Sequence, residues 1–417
     1  MGLPRITSRP SAGRVPGGGP AILVVNAGSS SIKFAVFGAE SSLRRLVAGH
    51  IERIGSSRPT FNTTGPEPAD IRSRSLDAPD HAAASRALLD WLDQRGLKTL
   101  TAAGHRIVRG APTYSQPERI SDAMIERLRQ LSPFDVEHLQ REIALIEAVK
   151  QRCPDLPQVA CFDTAFHDAM PRVATLLPIP RRYEAQGVRR FGFHGLSYEF
   201  LMGELARLDG AAAARGRIVL AHLGNGASLA AVHEGRPVDT SMGFTPSGGV
   251  PMGTRSGDVD PGLLWYLAKT EQLSAEQLND LLNSQSGLLG VSESSADMRD
   301  LLERQSQDIR AAEAVELFCY QVKKWIGSYA AALGGIDTLV FSGGIGENAA
   351  EARWRICAGL GFLGIDLDGT RNADNAAVIS ASTAGVTVRV IRTDEESTIA
   401  RSVAVVLGLP LEKEPQQ

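Results

Sequence analysis

Two corners, one long loop and two strand ends carry the side chains best suited to handling anions. The first corner, Asn26 to Ser31 (NAGSSS), lies between two apolar runs and is followed by Lys33. Gly and Ser at such a corner let backbone N–H groups approach an anion, hydroxyls add donors, and the lysine supplies a point charge for phosphate. The second corner, His222 to Ser228 (HLGNGAS), repeats the layout with Gly224 and Gly226. The loop from Asp239 to Gly262 (DTSMGFTPSGGVPMGTRSGDVDPG) holds Arg255 as its only cation, between Gly253 and Gly257. A long loop inside a compact domain points to function, and a guanidinium fork suits a carboxylate or a phosphate. Arg106 interrupts an apolar strand, GHRIV, where it must be paired or face a ligand; a structural ion pair is the plain alternative. The strand VACFDTAFH delivers Asp163, Thr164 and His167 at its end, where α/β proteins place chemistry, although Asp163 could equally cap the next helix. His194, between Phe193 and Gly195 in RRFGFHGLS, has little else to pack on.

The elements that must hold these residues follow from periodicity. Ile22 to Phe37 (ILVVNAGSSSIKFAVF) and Ile218 to Val232 (IVLAHLGNGASLAAV) both read as hairpins that begin a sheet. One device used twice implies a duplicated α/β architecture with a cleft between the halves, ligands lying at loops beyond strand ends. Helical spacing marks His81 to Gln94, Ser121 to Val149 with a break near Pro133, Tyr198 to Leu208, Gly262 to Ala268, Ser274 to Asn283 and Ala311 to Ala332. A buried strand from Ile336 runs into a Gly turn, and a last strand, Val386 to Ile391, delivers Thr393 to Glu396. The helix ending at Leu407 should return to the first domain. The expected division is a disordered tail over 1–20, an N-terminal domain over 21–166 plus 395–417, and a C-terminal nucleotide-binding domain over 167–394.

Composition bounds the partners. With 417 residues, 43% hydrophobic and 22% charged, the chain is of soluble globular type and long enough for two domains. A formal charge of −3 gives no reason to expect nucleic acid or an acidic membrane. Four cysteines without C-x-x-C spacing suit no zinc site and suggest a reducing, cytoplasmic compartment. No apolar run reaches membrane-spanning length. The first twenty residues lack the apolar core of a signal peptide, and Ile6 stands where a myristoylation motif needs Ser or Thr.

Taken in order, NAGSSSIKF, GHRIV, FDTAFH, FGFHG, HLGNG, DTSMGFTP, MGTRSGDVDP, SGLLGVS and FSGGIGEN make the chain resemble the acetate kinases, of the acetate and sugar kinase, actin and heat-shock chaperone superfamily. The likeness runs from about Ile22 to Leu407. It implies two ribonuclease H-like (actin-like ATPase) domains around an interdomain cleft, ATP and acetate as substrates, Mg²⁺ or Mn²⁺ as cofactor, and a homodimer. It places Asn26, Ser29, Ser31 and Lys33 near the transferring phosphoryl group, with Asn26 also counted toward catalysis and the metal. His222, Asn225 and Gly226 would form a second phosphate loop. Arg106 and Arg255 would grip the carboxylate and stabilise equatorial charge, with His194 donating to the same oxygens. Asp163 would organise the site, and Glu395 would hold Mg²⁺ through water. Asp297, Met298, Arg299 and the turn Gly343, Gly344, Ile345, Gly346, Glu347, Asn348 would line the adenosine side, and Val108, Phe193 and Pro246 would wall the methyl pocket. Departures from the family pattern fall at Arg109 (for His), Phe134 to Glu137 (for Leu-His-Asn-Pro), Ser247 to Gly249 (for Leu-Glu-Gly) and Leu196 to Tyr198 (for Thr-Ser-His). The first two bear on which acid is preferred.

Acetate is already an anion and needs no general base, so the expected catalysis is charge stabilisation by two guanidiniums, an imidazole and the metal. Three rivals remain at this stage. A propionate kinase would differ only in pocket volume. A dinucleotide-dependent oxidoreductase would use Gly344-x-Gly346-x-x-Ala349 with Asp366 as ribose acid, but would leave both corners and Arg255 unexplained. A non-catalytic actin-like switch would need neither arginine.

Overall fold

The computed structural model describes residues 19–28, 31–56, 58–65, 70–95, 100–131 and 138–411. The tail expectation, Ser29 and the segment Phe134 to Glu137 fall outside them, apart from the last two tail positions. Contacts divide the described chain into two compact units. One runs to Arg109 and adds Gln116–Phe162 and the chain from Glu396; the other holds Gly110–Ser115 and Asp163–Glu395. Asp163 and Glu395 therefore both belong to the second unit, where the sequence reading had set its boundaries at 166/167 and 394/395.

The first unit is built on eight described strands: β1 (Ala21–Ala27), β2 (Ser31–Gly38), β3 (Arg45–Glu52), β4 (Thr60–Thr64), β5 (Arg72–Ser75), β6 (Leu100–Ile107), β7 (Glu118–Arg119) and β8 (Gln158–Phe162). Their order in the sheet is β5-β4-β3-β2-β1-β6-β8-β7. The second unit has β9 (Ile218–Leu223), β10 (Ala227–His233), β11 (Arg236–Thr240), β12 (Thr338–Ser342) and β13 (Thr387–Val390), ordered β11-β10-β9-β12-β13.

The duplication is legible in these orders. In each sheet a first strand pairs antiparallel with the second, the second with the third, and two later strands add in parallel on the other side of the first. The central strands are mostly apolar because both faces are covered, with polar residues toward their ends. In β1 all seven residues are buried. One face of the first sheet packs Phe34 and Phe61 on Trp91, with ring centroids 5.3 to 5.8 Å apart. Trp91 comes from the helix His81–Gln94, which Asp80 caps by accepting from Ala83 N–H. The other face meets the helix Glu395–Leu407: a Cβ on Gly104 would fall 2.5 Å from Ile399 and 2.6 Å from Val403. In the second unit Tyr198, Leu201 and Leu205 of the helix Gly195–Asp209 pack on Ile218, Leu220 and Val340. Among the described residues no helix is long and apolar enough to cross a membrane.

Candidate active site

In the first unit β1 carries Asn26 to the hairpin end, paired across the ladder with Lys33. The parallel strand β6 brings Arg106 alongside, and its Nη1 donates to Asn26 Oδ1 at 3.3 Å. The two side chains thus stand together at the ends of adjacent strands. Lys33 is exposed. The corner itself is tight: Gly28 N–H donates to Ser31 O at 2.7 Å, and His81 Nε2 lies 2.9 Å from Gly28 O. Beyond β6, Val108 is buried, and its N–H lies 3.2 Å from both carboxylate oxygens of buried Glu142. Arg109 is buried as well.

In the second unit the equivalent hairpin end pairs His222 with Ser228. His194 stands in the left-handed region at φ 59°, one residue before the helix Gly195–Asp209. Its ring lies 4.4 Å from that of His222, centroid to centroid, and its Nδ1 is 2.9 Å from Ser228 Oγ. Gly226 is where several groups converge. A Cβ built there would sit 3.3 Å from His194 Nε2 and 3.6 Å from Arg255 Nη1. Arg255 is aimed by its own loop, with Nη1 donating to Pro246 O at 3.2 Å and Met252 N–H bonding Arg255 O at 3.0 Å. Gly257 makes that loop feasible: its φ is +71°, and a Cβ would meet Gly249 O at 2.5 Å.

Asp163, fully buried, accepts Gly195 N–H on its backbone oxygen at 2.8 Å, so it sits under the turn that presents His194. Glu395 is held by Ser197 Oγ at 2.5 Å, and Thr393 Oγ1 donates to the same hydroxyl at 3.1 Å. The turn after β12 lies beside the end of β9, since Ser342 pairs with His222 and a Cβ on Gly343 would fall 2.6 Å from Leu223 O. Glu347 Oε1 accepts from Gly343 N–H at 3.0 Å and Thr393 N–H at 3.2 Å, tying this turn to the approach to Glu395. Asn348 donates to Gly344 O. Gly346 O is bonded by Nη1 of Arg353, a fully buried arginine that also reaches Asn372 and Asn375. Burial pulls that guanidinium down to about 10.

Asp297 caps the helix Met298–Arg304, and the hydrogen bond from Arg299 holds its carboxyl below the usual range. Ala296 O would stand 3.2 Å from a Cβ on Gly253, and the same Cβ would meet Asn225 Oδ1 at 2.2 Å, so this segment adjoins the Asn225 corner. Phe193 is buried, with His167 Nε2 at 2.9 Å from its carbonyl.

The second unit thus brings together His194, His222, Asn225, Gly226, Arg255 and Pro246, with the Gly343–Asn348 turn and Asp297 alongside. Asn26 and Arg106 form a separate pair in the first unit, where Val108 and Lys33 also lie. The sequence reading missed Ser197, Ser228, Glu142 and Arg353. Ser228 was visible only as the exit of the second corner, and nothing in the sequence set Arg353 apart.

The sequence profile of the Acetokinase family matches residues 21–401. An acetate kinase of Rhodopseudomonas palustris is 44% identical over 389 residues, covering 92% of this chain and 97% of that protein. A propionate kinase of Citrobacter rodentium is also 44% identical, over 92% of this chain and 96% of that protein. The crystal structure of the acetate kinase of Porphyromonas gingivalis is 35% identical, with a TM-score of 0.83, covering 93% of this chain and 100% of that one. The repeated sheet, the two hairpin-end corners and these matches lead to one assignment: the chain belongs to the acetokinase family.

Proposed function

We propose that this chain transfers the terminal phosphoryl group of ATP reversibly to acetate, giving acetyl phosphate and ADP. The observation that carries the reading is the convergence of His194 Nε2 and the Arg255 guanidinium on Gly226, where no side chain intervenes. Two donors aimed at one small space suit an oxygen that gains negative charge, which is what a loose phosphoryl transition state requires. Acetate oxygen attacks phosphorus and the bond to the ADP oxygen breaks, with no proton to remove. Arg106, beside Asn26, takes the acetate carboxylate or an equatorial oxygen. Arg255 and His194 take the charge on the group in flight. Asn26, Ser29, Ser31 and Lys33 serve the phosphates, as do His222, Asn225 and Gly226. Asp163 orients and does not act as a base. The Gly343–Asn348 turn and Asp297 to Arg299 take the adenosine, and Val108, Phe193 and Pro246 bound the methyl group.

Magnesium suits the oxygen donors Asn26 and Glu395, hard ligands of the kind this ion prefers. Glu395, steadied by Ser197, would hold it through water, and Asn26 would assist. When bound, the ion supplies neutralisation of phosphate charge. We place the protein in the cytoplasm, in keeping with its four free cysteines. We infer a homodimer, supported by the exposed Leu263, Trp265 and Tyr266 on a helix, Pro261–Thr270, that buries no residue.

A hydroxamate assay with acetate, propionate and butyrate at equal concentration tests the reaction and ranks the acids. Acyl hydroxamate that depends on ATP, highest with acetate, is the expected result. Propionate ahead of acetate would move the assignment to a propionate kinase, and no hydroxamate with any acid would sink it.

A further inference from the structure

His194 owes its orientation to two hydroxyls that the reaction itself does not use. Its Nδ1 lies 2.9 Å from Ser228 Oγ, and that oxygen is also bonded to the Tyr198 hydroxyl. Tyr198 and Ser228 are both fully buried, at 0% exposure. Among the described residues neither hydroxyl has another hydrogen-bond partner. A buried O–H that donates to nothing costs about 1–3 kcal/mol, so both must donate. Among the described residues the hydrogen-bond partner of the Tyr198 hydroxyl is Ser228 Oγ. Ser228, receiving that hydrogen, sends its own to His194 Nδ1. The direction is forced, and it leaves the hydrogen of the neutral imidazole on Nε2. That nitrogen is the one that faces Gly226 and Arg255.

We propose that Tyr198 and Ser228 form a buried hydroxyl relay that fixes the tautomer of His194, so that Nε2–H is the group presented beside Arg255. Tyr198 is the positioning residue at its head. Burial pushes its phenol well above the usual value, so it stays a donor at any working pH. The relay also opposes the imidazolium. A charged His194 would donate from Nδ1 to Ser228, Ser228 would donate to Tyr198, and the Tyr198 hydrogen would be left with no acceptor. Also near the imidazole and the relay are the His222 ring, the Arg255 guanidinium and Asp163, whose charge acts on the Tyr198 phenol. The positive charge at this corner is therefore the task of Arg255, and His194 contributes a neutral, directed donor. Position 198 is one where the chain departs from its family, with Tyr for His; an imidazole N–H there could head the same relay.

The role in phosphoryl transfer rests on the function proposed above, whereas the tautomer does not. The test is ¹⁵N NMR of the full chain labelled at histidine, without substrates, at near-neutral pH. The His194 signals are assigned by their loss in His194→Gln. The expected wild-type pattern is a protonated Nε2 and an unprotonated Nδ1. Tyr198→Phe should mix the tautomers and lower kcat by about 10- to 100-fold, a loss like that seen when a metal-bound histidine loses its outer partner. The KM for ATP should stay within about twofold. Tyr198→His should restore most of both, and Ser228→Ala should reproduce the phenylalanine variant. A protonated Nδ1 or an imidazolium in the wild type would overturn the proposal. So would a Tyr198→Phe chain that loses thermal stability while keeping tautomer and kcat. A wild type with the expected tautomer but no phosphoryl transfer would support the relay and overturn the reading of the reaction.

Discussion

Gly253→Ala separates folding from function at one atom. Gly253 lies outside the left-handed backbone region, so alanine is conformationally admissible. Its Cβ, however, would stand 2.2 Å from Asn225 Oδ1 and 3.2 Å from Ala296 O. The first of these is the tip of an exposed, two-torsion side chain that can swing away, and the second needs to give by only a few tenths of an ångström. The fold should lose about 1 kcal/mol or less, a fall of about 2–4 °C in Tm for a domain of this size. Activity should suffer far more. If Asn225 serves the transferring phosphates, swinging it away removes a preorganised donor worth about 2.7–4 kcal/mol, or about 100- to 1,000-fold in kcat. The hydroxamate assay at saturating acetate with ATP varied, run beside a thermal scan, reads both quantities. Gly195→Ala is the contrasting control. There the Cβ would fall 2.2 Å from the backbone oxygen of Asp163, which cannot swing, so the fold itself should lose about 1–3 kcal/mol. A Gly253→Ala chain with wild-type kcat would refute the placement of Asn225 on the phosphates. One as unstable as Gly195→Ala would refute the claim that only a yielding side chain is displaced.

Arg106→Ala and Arg255→Ala should each lower kcat at least about a hundredfold in the same assay with little change in Tm, and near-full turnover in either would remove that residue from the mechanism. Arg353→Lys cannot reproduce a fork that reaches Gly346, Asn372 and Asn375 together. It should cost several kcal/mol in urea unfolding and raise the KM for ATP more than that for acetate; equal rises would detach Arg353 from the nucleotide turn. His105 and His167 are both buried and held neutral, each lowered from 6.5 to about 4. Above the unfolded value neither affects stability. As pH falls from 6.5 toward 4, the unfolded chain takes up protons that the folded chain refuses, so each should withdraw up to about 3 kcal/mol over that window. Urea unfolding from pH 7 to pH 4.5 should show the decline, and His105→Gln should flatten it; an unchanged slope would mean that His105 titrates normally in the fold.

Local pattern carried the elements and left the tertiary partners hidden. The helix His81–Gln94 ends where its apolar spacing ends, and both hairpins stand where two β-rich runs flank Gly and Ser. The Arg255 loop was legible because nothing between β11 and the helix Pro261–Thr270 has either period. By contrast, nothing in Gly110–Ser115 announces that it packs with the second unit. It does so because buried Thr164 Oγ1 accepts from the N–H groups of Gly110 and Ala111, both at 3.2 Å, and that partner lies more than fifty residues away. Arg353 likewise reads as an ordinary surface cation, since its acceptors sit in a later loop. Tyr198 was visible as a departure from the family pattern, but only the strand partner of His222 shows what its hydroxyl is for.

The central claim is that two anions, acetate and the terminal phosphate, are joined here by charge stabilisation. A ³¹P spectrum of the purified chain incubated with ATP, magnesium and acetate tests it most directly. The account predicts an acyl-phosphate resonance that grows in step with ADP. ATP consumed to inorganic phosphate alone, or not consumed at all, would contradict it.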